Sequence, residues 1–224
     1  MTARGNSKVK GNGMLVDALL QRYGRTYAEE AGVRLQGNTP SPLFELLNLS
    51  MLLSARIAAD NAVEAARALV KAKLTTPKKM ASASWQDRVD VITWHGYKRY
   101  DERTSRMLGD TAKMVLDDYR GDLRRLRDEA GQDVKEERRL LQRFKGIGEV
   151  GADIFLREAQ AVWPEAYPYA DPKVLEAAGR LGLPRTAKRL AALVPRARFP
   201  HLCAALIRTS LRRDYDAIKS AARA

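Results

Sequence analysis

The sequence predicts an all-α fold. Apolar residues recur at spacings of three and four, no segment alternates convincingly with a period of two, and helix-starting prolines and helix-stopping glycines bracket the periodic runs. Residues 1–12 are polar and carry glycine, which reads as a disordered tail, and a helix over 14–23 follows. Ser41 and Pro42 open the next helix, with Pro suited to its first turn, and Leu43, Leu46, Leu47, Ser50, Met51 and Ser54 mark one face. Residues 60–73 (DNAVEAARALVKAK) form a further helix, and 85–94 another that stops at Gly96. A long helix runs from about 100 to 119, and the charged stretch 121–133 reads as a solvated connection with some helix. Helices over 134–144, 150–163, 172–181, 186–194 and 200–218 complete the chain.

Composition bounds the function. At 224 residues, 45% apolar and 30% charged, the chain has room for one large domain or two small ones with real cores. It has no apolar run long enough to span a bilayer and no apolar signal segment near its start, so a cytoplasmic setting is expected, nucleoid-associated if the source is bacterial. A single cysteine, Cys203, excludes an internal disulfide, a four-thiolate zinc site and a four-cysteine iron-sulfur cluster. Cys203 lies between Leu202 and Ala204 on an apolar face and reads as core. Forty Lys and Arg against 27 Asp and Glu leave +13, the charge balance of a nucleic-acid binder, with a merely soluble basic surface as the alternative. Ten basic and two acidic residues lie from Pro184 to the C-terminus, so +8 of the +13 is concentrated there.

One stretch stands out from the helical pattern: KGIGEVGADIF, which starts at Lys145, places three glycines between two amphipathic segments. Leu140, Leu141 and Phe144 give the first segment an apolar face, and Ile154, Phe155 and Val162 the second. A Gly-Ile-Gly hairpin permits positive φ and close backbone approach, with Ile147 turned inward between the helices. The amides of Gly146, Gly148 and the following turn then face outward at the positive end of the second helix, where a phosphate binds without any base being read. An ordinary helical hairpin with glycine at the helix end is the plain alternative.

Four segments in order carry a family resemblance: LFELLNLSMLLSARIAADNAV, HGYKRYDERTSRML, LQRFKGIGEVGADIF and VWPEAYPYADPKVLEAAGRLGL. Together they resemble the helix-hairpin-helix (HhH-GPD) DNA glycosylase superfamily of endonuclease III-like enzymes, over about residues 42–182. The resemblance implies two helical domains with a cleft between them: 42–155 as a barrel-like domain ending in the hairpin, and 13–41 plus 156–224 as a second, basic one. It implies a monomer acting on double-stranded DNA in base excision repair. The family's required aspartate falls on Asp171, where a carboxylate can stabilise the oxocarbenium charge that develops as an N-glycosidic bond breaks. Asp171 followed by Pro172 is also a helix N-cap, and the two roles are compatible.

Departures from the family shape the expected chemistry. Strand-cleaving members carry a lysine nucleophile after the hairpin, and that position is Val150 here. The resemblance therefore implies a monofunctional glycosylase using water. The alternatives are a non-catalytic DNA-binding or lesion-sensing protein, or a lyase that recruits Lys145 or Lys173. The family's four cluster cysteines are missing, so no iron-sulfur cofactor is expected, and the basic helix around HLCAALIRTSLRRDY takes their place beside DNA. The hairpin residues Gly146, Ile147, Gly148, Val150 and Gly151 are expected to meet DNA, with a monovalent cation as a candidate ligand of the Gly146 and Gly148 carbonyls. Arg56 corresponds to a plug that fills the gap left by an extruded base, Tyr97 to a wedge, and Lys98 and Arg103 to phosphate contacts. Tyr167 and Tyr169 are base-pocket candidates with buried packing as their alternative, and His95 reads as a helix-end residue. The base removed is left open among oxidised pyrimidines, mismatched thymine or uracil, mispaired adenine and alkylated purines.

Overall fold

A computed structural model describes residues 3–93 and 101–223, and every regular element among them is helical. In chain order these are α1 (Ala3–Tyr23), α2 (Tyr27–Ala31), α3 (Pro40–Ser54), α4 (Ala59–Lys71), α5 (Pro77–Ser82), α6 (Trp85–Thr93), α7 (Asp101–Tyr119), α8 (Arg124–Glu129), α9 (Val134–Leu141) and α10 (Glu149–Ala159). A 3₁₀ turn (Pro164–Ala166) precedes α11 (Pro172–Arg180) and α12 (Ala187–Ala191), and a second 3₁₀ turn (Arg196–Arg198) leads to α13 (Phe199–Arg212) and α14 (Tyr215–Ala221). The chain divides into two units: Tyr27–Ala166 is one, and the segments before and after it make up the other. Among the described residues no helix is long and apolar enough to cross a membrane.

In the Tyr27–Ala166 unit α3 is the central element. Leu43, Phe44, Leu46, Leu47, Asn48, Leu49, Ser50, Met51 and Leu52 are all buried, so this helix is enclosed around most of its circumference, and it packs against α4 and α10. Pro at its first turn starts it, and Ala55 in extended conformation ends it. Buried polar groups clasp the surrounding helices. The Arg88 guanidinium donates to the carbonyls of Met80 (3.0 Å), Ala83 (2.6 Å) and Ser105 (2.9 Å), which joins α5, α6 and α7. Gly109 lets this arginine lie flat, since a Cβ there would come within 2.8 Å of an Arg88 Nη. The buried Glu158 carboxylate accepts from the Tyr27 and Ala28 amides and so caps the start of α2. Trp163 stacks edge-on against Phe155 at 5.3 Å and donates its indole N–H to Asn38.

In the other unit α1 packs on α13 and α14, and α11 on α13. Helix α1 extends back to Ala3 through the stretch expected as a tail. Gly11 and Gly13 lie within it with open space at their Cβ positions. The helix expected over 200–218 is two helices. Arg213 adopts φ 55°, ψ 32°, its amide and that of Asp214 bond back to Ser210 and Thr209, and the chain turns before α14. Asp214 then accepts from the Arg22 Nε (2.7 Å) and the Tyr23 hydroxyl (2.6 Å), which ties the turn to α1. The short helices α2 and α5 add to the expected set, α8 lies in the connection expected to hold some helix, and α10 gives way to turns before residue 163. Cys203 is buried, its thiol 3.7 Å from the Tyr169 carbonyl.

Candidate nucleic-acid interface

Helices α9 and α10 form the two arms of a hairpin. Arg138 and Asp153 pair across them at 2.7 Å, and the connection tightens through bonds from the Arg143 and Phe144 amides to the Leu140 and Leu141 carbonyls. Phe144 is buried against Tyr119, and the Ile147 amide bonds back to the Phe144 carbonyl at 3.0 Å. Ile147 is only 3% exposed, so its side chain fastens the hairpin and is turned away from solvent. The glycines then divide by role. Gly146 has φ +88°, and a Cβ there would lie 2.8 Å from the Met107 sulfur and 3.2 Å from Met51, so both backbone and packing require glycine. Gly151 leaves room for Ile147, whose Cδ1 and Cγ2 would each stand 3.3 Å from an added Cβ.

Gly148 is different. Its φ is an ordinary −90° and nothing lies within 4 Å of its Cβ position, so neither strain nor crowding demands glycine. It is the N-cap of α10, without a side chain to satisfy the first amides. Among the described residues the amides of Gly148, Glu149, Val150 and Gly151 find no acceptor. Val150 is 42% exposed in this first turn. The Gly146 carbonyl accepts from Ser54 Oγ at 3.3 Å and the Gly148 carbonyl from the Ala152 amide at 3.0 Å, so each retains one lone pair for a cation.

The hairpin borders a cavity of about 430 Å³ lined by Met51, Ser54, Ala55, Arg56, Arg103, Thr104, Met107 and Gly146. The end of α3, the first turn of α7 and the hairpin therefore bring Arg56 and Arg103 to one site. Both arginines are exposed and have no partner among the described residues, whereas Met51 and Met107 give the cavity an apolar floor. The sequence pointed to the two arginines separately. The methionines and the Ser54 contact went unnoticed, because Ser54 and Gly146 meet across 92 positions of sequence. Tyr97, Lys98 and His95 lie outside the described residues.

Helix α9 rests on a buried acid pair. Glu137 is fully buried, and burial followed by the neighbouring Glu165 pushes its carboxyl up to about 8, so it is protonated at neutral pH. Burial is the largest influence on Glu165 and would raise it, but hydrogen bonds from Arg127, the backbone and Glu137, with the Arg127 charge, together hold that carboxyl below its ordinary value. Arg127 grips Glu165 with both Nε and Nη2, the latter at 2.7 Å. Lys145 is three-quarters exposed and paired with Asp110 at 3.0 Å.

Asp171 belongs to the other unit. It is 4% exposed with extended backbone, and its Oδ1 accepts from the Lys173 amide (2.9 Å) and the Val174 amide (3.2 Å) at the start of α11. Pro172 opens that helix, as the sequence implied. Before it, the Tyr167–Pro168 peptide is cis. The Tyr167 ring stands edge-on to Phe199 at 5.7 Å and carries the Arg196 guanidinium 4.6 Å from its centre, so Tyr167 is engaged in packing on one side and a cation on the other. Tyr169 is half-buried. Helix α13, expected to present basic residues to DNA, buries everything from Phe199 to Thr209 apart from a half-buried His201, while Arg212 at its end and Arg213 after it are exposed. Its Arg208 turns inward and donates to the carbonyls of Tyr23 and Arg25, closing the end of α1.

No family model and no curated protein matches the chain. Among solved structures, a trapped endonuclease III–DNA covalent intermediate, the estranged-adenine complex, is similar over 87% of this chain and 82% of its own, at 17% identity and a TM-score of 0.48.

Proposed function

We propose that this chain is a monofunctional DNA glycosylase that hydrolyses the N-glycosidic bond of a damaged or mismatched base in duplex DNA. The observation that carries the reading is Gly148: a glycine that the fold does not need, whose amide and the three after it are unsatisfied at the positive end of α10. Open space in front of bare amides is what a phosphate requires. The neighbouring cavity, with Arg56 and Arg103 at its edge, adds two guanidiniums beside that phosphate. Neither feature reads a base, so the hairpin sets position and selection rests on which base is extruded.

The reaction divides water across the C1′–N bond. The bonding pair leaves with the base, the hydroxyl adds to C1′, and the proton ends on the departing base. Asp171, by its family register, stabilises the cationic sugar and receives the water proton in passing. Its two amide hydrogen bonds fix the carboxylate in one rotamer, so capping and catalysis reinforce each other. Val150 offers no amine for a Schiff base, and the exposed valine is consistent with water as the nucleophile.

A second reading has its own support. Asp171 is fully explained as an N-cap, which favours a DNA-binding protein without catalysis. Duplexes carrying one lesion each, incubated with wild type and with Asp171→Asn and then treated with alkali, separate the two, since asparagine caps a helix as well as aspartate does. Borohydride treatment of the protein with abasic DNA tests the chemistry: no trapped adduct is expected, and a trapped adduct would require a lysine nucleophile.

A further inference from the structure

Beyond the hairpin, and resting on the DNA reading above, we propose that the segment from Arg185 to Arg198 is a second contact for the phosphate backbone of duplex DNA. No acidic residue lies between Glu176 and Asp214, while nine Lys and Arg do. The fold separates these nine by what they touch, with Arg213 forming the left-handed turn after α13. Arg208 is buried on carbonyls, Arg212 lies over Tyr23, and Arg180 pairs with Glu176. Arg185, Lys188, Arg189, Arg196 and Arg198 are all exposed, and they are gathered in the first turn of α12, two residues before it and in the 3₁₀ turn after it.

Several exposed cations elsewhere in the chain carry a counter-charge. Arg67 pairs with Glu64, Arg106 with Glu102, Arg139 with Glu136, Arg143 with Asp118 and Glu129, and Lys145 with Asp110. Among the described residues Arg185, Lys188, Arg189 and Arg198 have no carboxylate partner. A surface built only for solubility intersperses both signs, whereas no acidic residue interrupts residues 177–213. An uncompensated cationic run attracts a polyanion and gains free energy by releasing its counterions. The stem of Arg185 also packs over Gly179 of α11. Exposed charge of the C-terminal region thus lies on α12 and the turn after it as well as at the end of α13.

The test uses the full chain with Lys188, Arg189 and Arg198 changed together to Gln. Binding to an undamaged DNA duplex is measured across salt concentrations, beside wild type and Gly148→Asp, which caps α10 and sets a negative charge at the hairpin. The triple variant is expected to bind about tenfold or more weakly at 0.1 M salt, with the slope of log K against log salt reduced by about 2–3. If the triple variant matches wild type while Gly148→Asp binds more weakly, the second contact is refuted and the hairpin reading stands. If wild type shows no salt-dependent DNA binding, both fail. A loss seen with RNA duplexes but not with DNA also overturns the proposal, because the partner would then be RNA.

Discussion

At the residue scale the hairpin is written in glycines with unequal duties. Gly146 is constrained twice, by φ +88° and by the Met107 sulfur 2.8 Å from where a Cβ would stand. Gly146→Ala is therefore expected to cost about 2–4 kcal/mol in urea denaturation, combining left-handed strain with overpacking. Gly148→Ala meets no atom and keeps an ordinary φ, so it should cost less than about 1 kcal/mol yet weaken DNA binding. Equal stability losses in the two variants would show that their roles are not separate. The glycine pattern was legible in the sequence, as was the dual position of Asp171, because both are local: a turn residue and a cap need only their immediate neighbours. The Arg56–Arg103 cavity was not legible, since it exists only once α3, α7 and the hairpin meet.

At the scale of elements, propensity and periodicity located the long helices and the short α12, but missed α2 and α5. These two have 5 and 6 residues, too few to repeat an apolar spacing, and tertiary contacts hold them. The break between α13 and α14 was missed because its marker is Arg213, a residue that seldom adopts φ 55°. Arg213→Gly removes that strain and should stabilise the chain by about 0.5–1 kcal/mol, raising Tm by about 2–4 °C; a lower Tm would show that the Arg213 side chain supports the turn. Helix α9 carries a pH dependence. The Glu137 carboxyl lies at about 8 when folded against its ordinary 4.5, so folding takes up a proton between those values and stability falls as pH rises through that window. Glu165, held low, contributes in the opposite sense and loses its contribution only as pH falls. Glu137→Gln should flatten the first dependence: between pH 6 and 9 the Tm of wild type should fall by at least about 3 °C more than that of the variant. Parallel curves would mean that Glu137 ionises without consequence.

At the scale of the whole molecule, charge and helix are the two properties that the sequence conveyed most fully. The +13 net charge and the all-α class both come from sums over many residues, and such sums survive the details of packing. Where the charge is presented did not survive in the same way. The basic helix around α13 is presented only in part: Arg208 closes a helix end, Arg212 and Arg213 are exposed, and further exposed cations fall on α12 and the turn after it. Base release most directly tests the central proposal, that the chain is a glycosylase with Asp171 as its carboxylate. Single-lesion duplexes incubated with wild type and with Asp171→Asn are scored for alkali-dependent cleavage, with DNA binding measured on the same samples. Wild type is expected to release at least one class of base, and Asp171→Asn to do so at least about 10²-fold more slowly with binding retained. Release by neither protein from any duplex, or equal release by both, would contradict it.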